Sequence, residues 1–105
     1  MNVPLSPGRI RQVMDIVLRI HALKRMAKRA ISEEDIRAVV KSGETIEEYP
    51  NDTPYPSRLL LGWSGGRPLH VVVAENIEQQ QTIVITVYEP DTERWTSDYA
   101  RRRRT

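Results

Sequence analysis

The sequence predicts an α+β fold in which N-terminal helices pack on a four-stranded antiparallel sheet. Helical periodicity dominates before residue 44, and short runs rich in Val, Ile and Leu dominate after it. The apolar runs at residues 59–64, 67–74 and 81–88 are separated by turn residues, as the strands of an antiparallel meander are. Both faces of these strands carry apolar side chains, so both faces need a cover of helices, of a partner or of a second copy.

The N-terminal part of the chain predicts two helical segments with an interruption between them. The Ser-Pro pair at residues 6–7 is typical of a helix start. The apolar side chains of residues 10–18 and those of residues 22–31 fall on opposite arcs of one continuous helix, so a straight helix cannot bury both. We therefore expect a break, a kink or a short extended piece within residues 16–20, and a helix over residues 21–30.

The next helix has clear signals at both ends. Ser32 followed by three acidic residues is typical of an N-cap with a favourable first turn. Ile31 before the cap and Ile36 after it predict a hydrophobic staple. Gly43 predicts a left-handed cap at the end of this helix.

The positions of the strands are predicted from the turn residues between them. Residues 44–49 predict the first strand, and the prolines within residues 50–57 predict a loop with few ladder hydrogen bonds. Gly65 and Gly66 predict a tight hairpin, where positive φ angles are needed. Beyond the fourth strand we expect a turn that lays Trp95 on the surface of the fold.

The formal charge of +2 hides an uneven distribution of charged residues. Residues 1–41 carry a net charge of +5, residues 42–100 carry −7, and residues 101–104 are all arginine. We assign residues 1–100 to a single domain and residues 101–105 to a basic, disordered tail that can add phosphate contacts. A basic segment beside an acidic sheet indicates an anionic partner on one side of the protein, although a solvated basic helix face is the alternative.

Several classes of protein are excluded by composition. The chain has no cysteine, which excludes disulfides, thiolate zinc sites and cysteine nucleophiles. The two histidines are far apart and no HExxH motif is present, so we expect no metal and no cofactor. No apolar run approaches the roughly 20 residues that a bilayer requires, and the N-terminus lacks the apolar stretch of a signal peptide. We expect a cytoplasmic protein without membrane contact.

The polar side of the helix over residues 21–30 is the first candidate site. His21, Arg25 and Arg29 recur at every fourth residue and project from one face, with Lys24 and Lys28 beside them. Guanidinium groups match the oxygens of a phosphate, and histidine can move a proton near neutral pH. Metal-free RNA cleavage needs this combination. The alternative is a histidine at a helix start beside solvated basic residues.

The sheet offers a second candidate group around His70. Arg67 and Tyr88 lie on neighbouring strands and can join His70 in one cleft, where we expect both to contact RNA. The alternative for His70 is a half-buried strand histidine whose hydrogen bonds are satisfied. Tyrosines at the sheet edge can stack on bases, or they can pack against the fold.

The sequence resembles a bacterial family of domains of unknown function that is grouped with the RelE-like toxins of toxin–antitoxin pairs. The matching stretches are HALKRM at residues 21–26, ISEEDI at 31–36, GRPLHVVVA at 66–74 and ITVYEP at 85–90. Ala30 stands where that family usually has glycine.

This resemblance implies a RelE-like architecture and a small, metal-independent endoribonuclease that a protein antitoxin, of zinc-finger type, keeps silent. The family's recurrent polar positions would be His21, Arg25, Arg29 and His70. We take His21, Arg25 and His70 as the catalytic candidates. The rival hypothesis is a non-catalytic RNA- or protein-binding module that forms a homodimer through its sheet.

Overall fold

The computed structural model describes residues 15–104, which fold into two helices and one mixed sheet of five strands. The elements in chain order are β1 (Asp15–Leu18), α1 (Ile20–Arg29), α2 (Glu33–Ser42), β2 (Glu44–Tyr49), β3 (Ser57–Ser64), β4 (Arg67–Asn76) and β5 (Gln81–Tyr88). The strand order is β1-β5-β4-β3-β2. The α+β class is confirmed, whereas the expectation of four antiparallel strands is wrong because β1 adds a fifth strand.

The additional strand β1 lies where the helical phase predicted an interruption. It runs parallel to β5, with Leu18 opposite Val84, and the amide of Arg19 donates to the carbonyl oxygen of Val84 at 3.1 Å. The β-branched Ile16 and Val17 suit a strand better than a helix. The interruption within residues 16–20 is therefore confirmed, and it is a paired strand. The helix start predicted at residues 6–7 lies outside the described residues.

One face of the sheet carries both helices, and the main hydrophobic core lies between them and the sheet. α1 buries Ala22 and Met26, which are one turn apart, and α2 buries Ile36 and Val39. The buried side chains that the sheet contributes to this core are Leu60, Leu69, Val71, Val73, Val84 and Val87. Leu69, Val71 and Val73 are each two residues apart, as expected for side chains on one face of β4.

The observed caps of the two helices agree only in part with those predicted from the sequence. The amide of Asp35 donates to Ser32 Oγ at 3.0 Å and the amide of Ser32 donates to Asp35 Oδ2 at 2.8 Å, which confirms the N-cap of α2. The left-handed cap predicted at Gly43 is wrong, since Gly43 is extended with φ −71°. A Cβ at Gly43 would lie 2.5 Å from the carbonyl oxygen of Val39, so close approach explains the glycine. The left-handed residue is Ala30, after α1, with φ 55°.

The hairpin between β3 and β4 forms as predicted. Gly65 and Gly66 have φ angles of 58° and 78°, and Ser64 faces Arg67 across the turn. This register places Leu61 opposite His70 and Leu59 opposite Val72.

The second face of the sheet is covered in part by the chain itself. Trp95 is only 3% exposed and packs against His70, with 4.4 Å between the ring centroids. The expectation that Trp95 lies on the surface is wrong, because it fills the space over β4. Around His70, residues of the C-terminal segment (residues 91–104) provide the cover that we expected from a partner or a second copy.

Two of the arginines that we assigned to the basic tail, Arg102 and Arg103, make side-chain hydrogen bonds in the structure. Arg102 pairs with Trp95 as an isolated β-bridge, and its guanidinium donates to both carboxylate oxygens of Glu47, at 2.9 and 3.1 Å. Arg103 Nε donates to the carbonyl oxygen of Thr92 at 2.6 Å. The contact between Arg102 and Glu47 joins the C-terminal segment, residues 91–104, to β2, and the other two contacts lie within the segment. Within residues 15–104 no helix has the length and apolar character needed to cross a bilayer.

Candidate functional site

The polar side of α1 carries a cluster of basic side chains, which we name the cationic face. Its members are His21, Lys24, Arg25, Lys28 and Arg29, and all are exposed apart from the half-buried Arg25. The opposite side of α1 is fixed to the sheet by Ala22 and Met26. The amphipathic pattern of the sequence thus turns every basic residue of this helix away from the core.

Within residues 15–104 the charge of the cationic face is not compensated by carboxylates. α1 contains no acidic residue, and none of the five side chains pairs with a carboxylate within the part of the chain that the structure describes. Residues 1–14 contain neither Asp nor Glu. Lys28 and Arg29 lie in the last turn, where the helix dipole stabilises cations, but Lys24 and Arg25 have no such structural reason. The surface therefore attracts anions.

Arg67 has a structural explanation that the sequence did not indicate. Its guanidinium donates to the carbonyl oxygens of Arg29 and Ala30, at 3.3 and 3.0 Å, which closes the end of α1. The same group lies 3.7 Å from Asp35 and 3.9 Å from Glu89. The structure thus accounts for Arg67 without a bound RNA.

His70 is fully buried and makes two hydrogen bonds. Its Nε2 lies 2.8 Å from the carbonyl oxygen of Tyr99. A carbonyl oxygen only accepts, so Nε2 carries the proton and donates. Nδ1 then accepts from the hydroxyl of Tyr88 at 3.2 Å. Burial lowers the pKa of His70 below its ordinary value, and the nearby Arg102 guanidinium lowers it further, against the opposing effects of Tyr99 and Glu47. His70 is therefore neutral and held in one tautomer.

The structure does not bring His70 and His21 into one cleft. The hydrogen-bond partners of His70 come from β5 and the C-terminal segment, and no member of the cationic face is among them. With no exposed surface, the imidazole of His70 cannot reach an RNA phosphate in this arrangement. Of the two residues predicted to join His70 in one cleft, Tyr88 contacts it, since its hydroxyl lies 3.2 Å from Nδ1. Arg67 instead donates to carbonyl oxygens at the end of α1.

Three residues around His70 form a polar network that was not predicted from the sequence. Arg102 binds Glu47, and the hydroxyl of Tyr49 donates to Glu47 Oε1 at 2.6 Å. The Arg102 hydrogen bonds lower the pKa of Glu47, while burial and the Glu47 carboxylate raise the pKa of Tyr49 to about 12. The alternation of β2 indicates that Glu47 and Tyr49 share a face. No local pattern indicates the distant partner, Arg102.

A groove of about 390 Å³ opens beside the start of α1. It is lined by Arg19 and His21 and by four residues of the loop between β2 and β3: Asp52, Thr53, Pro54 and Tyr55. Ala74, Ile83 and Ile85 complete the lining. His21 thus belongs to both the cationic face and this groove. Among residues 15–104, no three His, Asp or Glu side chains lie close enough together to hold a metal ion.

These features define an α+β domain in which α1 presents one exposed histidine and a cationic face that no carboxylate of residues 15–104 compensates. Residues 18–89 match the family model described as a domain of unknown function, DUF4258, and the chain belongs to this family. The matched segment contains α1 and both histidines, but not the C-terminal segment that covers His70. No curated protein and no solved structure matches the chain.

Proposed function

We propose that this protein is the toxin of a toxin–antitoxin pair, with a RelE-like architecture, and that it cleaves RNA without a metal ion. The observation that carries the proposal is the cationic face of α1, whose charge no carboxylate of residues 15–104 compensates and which begins with an exposed histidine. The toxin assignment and the antitoxin partner of zinc-finger type rest on the resemblance of HALKRM, ISEEDI, GRPLHVVVA and ITVYEP to the family grouped with RelE-like toxins.

In this proposal the cationic face binds the RNA backbone and His21 acts as the base. Arg25 and Arg29 lie one and two helical turns beyond His21, so their guanidinium groups bind phosphates next to the imidazole. His21 removes the proton from a 2′-hydroxyl, and the 2′-oxygen attacks the adjacent phosphorus. The bond from phosphorus to the 5′-oxygen then breaks, which leaves a 2′,3′-cyclic phosphate. General-base catalysis by one imidazole contributes roughly 10²- to 10⁴-fold.

The burial of His70 changes its part in the proposed mechanism. His70 is hydrogen-bonded to the carbonyl oxygen of Tyr99 and to the hydroxyl of Tyr88, and it has no exposed surface. We therefore assign it to the packing of the C-terminal segment and leave His21 as the only acid–base histidine. The leaving 5′-oxygen takes its proton from solvent.

Cleavage of labelled single-stranded RNA in the presence of EDTA tests this proposal. The wild-type protein is expected to yield fragments with 2′,3′-cyclic phosphate ends, and His21→Ala is expected to lower the rate at least about 100-fold. Arg25→Ala should weaken phosphate binding and slow cleavage as well. Arg37→Ala is the matched control, since Arg37 is an exposed cation of α2 that pairs with Glu33 at 3.0 Å. Cleavage that His21→Ala leaves unchanged would reject the proposal.

One observation favours a second candidate, a non-catalytic module that binds RNA. In the described residues 15–104 the only other histidine is His70, which is buried, so no second imidazole accompanies His21. This candidate predicts binding that weakens steeply with salt and yields no fragments. The same gel, combined with a binding measurement, distinguishes the two candidates, because only the toxin hypothesis predicts cleavage products that depend on His21.

A further inference from the structure

We propose that the groove beside α1 binds one unstacked nucleobase of a single-stranded RNA, with the adjoining phosphate bound by Arg19 and His21. This inference rests on the proposed RNA function, and it adds a recognition site to the cationic face. The residues that form the groove, apart from His21, have no part in the function proposed above.

The groove has the size and the apolar lining of a site for a planar ring. Its volume of about 390 Å³ falls within the range of roughly 300 to 1,000 Å³ that is usual for small-molecule sites. Ala74 and Ile83 lie side by side on β4 and β5, and Ile85 follows on β5. Because these side chains come from paired strands, this surface is rigid and suits the flat face of a base.

Tyr55 supplies an aromatic wall that is already held in place. The side-chain amide of Asn76 donates to the hydroxyl oxygen of Tyr55 at 2.8 Å, and Asn76 itself accepts from the amide of Gln79 at 3.2 Å. A ring that is fixed before the ligand arrives loses little conformational freedom on binding. Stacking on an aromatic side chain is the usual way in which proteins bind an unpaired base.

The charges around the groove favour a nucleotide over a neutral ring. Arg19 and His21 contribute basic groups, and neither pairs with a carboxylate in the described part of the chain. Asp52 is the one acid of the lining, and its carboxylate accepts from the hydroxyl of Ser57 at 2.7 Å and from the amide of Thr53 at 3.1 Å. Its remaining lone pairs can accept from an N–H group on the edge of a base.

The position of the groove favours RNA over a free nucleotide. His21 lines the groove and also begins the cationic face, which continues to Arg29 over about 12 Å of helix. A strand with one base in the groove can therefore continue along α1 with its phosphates on Arg25 and Arg29. A duplex has its bases stacked and paired, so it can contact the cationic face but cannot place a base beside Tyr55.

Binding of a short, non-cleavable RNA tests the groove. The probe is a fluorescein-labelled 2′-O-methyl hexanucleotide, as a single strand and as a duplex, with anisotropy as the readout. We expect Tyr55→Ala and Arg19→Ala each to weaken single-strand binding about tenfold. Tyr55→Phe keeps the stacking ring but loses the hydrogen bond from Asn76, so it should weaken binding by only about threefold. Arg37→Ala, which removes the same charge from α2, should stay within about twofold. Tyr55→Ala should leave duplex binding unchanged.

A second readout works on the wild-type protein and does not depend on the folding of any variant. Addition of uridine 5′-monophosphate should shift the methyl resonances of Ile83 and Ile85, while those of Ile77, which lines a different groove, stay in place. Shifts confined to other isoleucines would overturn the groove assignment.

The outcomes separate this inference from the proposed function. If the wild-type protein binds the single strand and both Tyr55→Ala and Arg19→Ala leave the affinity unchanged, the groove proposal fails and the RNA function stands. If neither the single strand nor the duplex binds the wild-type protein, both proposals fail.

Discussion

Replacing His70 with leucine distinguishes a histidine that packs the fold from one that transfers protons. Leucine cannot donate to the carbonyl of Tyr99 or accept from the hydroxyl of Tyr88, which lie 2.8 and 3.2 Å from the imidazole. Each partly buried group left without its partner costs about 1 kcal/mol, and imperfect packing against Trp95 costs about another 1 kcal/mol. The expected loss is therefore about 3 kcal/mol of the free energy of unfolding.

Urea unfolding followed by circular dichroism measures this loss. For a domain of this size, about 3 kcal/mol corresponds to a fall of roughly 12 to 24 °C in the melting temperature. His70→Gln is the matched control, because its amide can donate to Tyr99 and accept from Tyr88, and its expected loss is about 1 kcal/mol. RNA cleavage by the folded fraction of both variants should match that of the wild-type protein. Two results would refute the reasoning: wild-type stability in His70→Leu, or loss of cleavage in both variants while they remain folded.

Three further predictions concern the backbone, the pH dependence and the C-terminal segment. Ala30→Gly should raise the free energy of unfolding by about 1 kcal/mol in urea titrations, because Ala30 has a φ of 55°, which glycine adopts without strain. A decrease of the free energy of unfolding by the same amount would contradict the view that Ala30 is strained. The pKa values of Glu47 and His70 are lowered in the folded protein, so the unfolded chain binds more protons than the folded protein as the solution becomes acidic. The free energy of unfolding should therefore decrease as the pH drops below about 6.5 and decrease again below about 4.5. Glu47→Gln should make the lower step smaller, which pH-dependent melting would detect, and Asp35, whose pKa is lowered chiefly by its hydrogen bond from Ser64, should account for the part that remains. Arg102→Ala should speed proteolysis of the C-terminal segment relative to the control Arg101→Ala, and equal rates would show that the contact with Glu47 does not hold it.

The parts of the fold that were predictable from the sequence depend on neighbours along the chain. The capping box at Ser32 and the hairpin at Gly65 and Gly66 each involve residues within a few positions, so local patterns suffice. The strand β1 is different. The change in the helical phase of the apolar residues predicted where β1 lies. Its pairing with β5, however, joins residues that are 66 positions apart, such as Leu18 and Val84. No local pattern specifies that register.

The candidate site was predictable on α1 and not on the sheet. The cationic face follows from helical spacing alone, because α1 has one buried side and contains no acid. The burial of His70 depends on Trp95 and Tyr99, which the register of β4 does not indicate. The contact of Arg102 with Glu47 was not predictable either, because the two residues are far apart in the sequence.

The salt dependence of RNA binding tests most directly whether the cationic face of α1 holds the RNA backbone. The measurement compares the wild-type protein with the double variant Arg25→Gln and Lys28→Gln across a series of salt concentrations. Each phosphate contact with a single strand contributes about 0.7 to the slope of log K against log salt concentration. The account predicts a slope shallower by about 1.4 in the double variant, and an unchanged slope would contradict it.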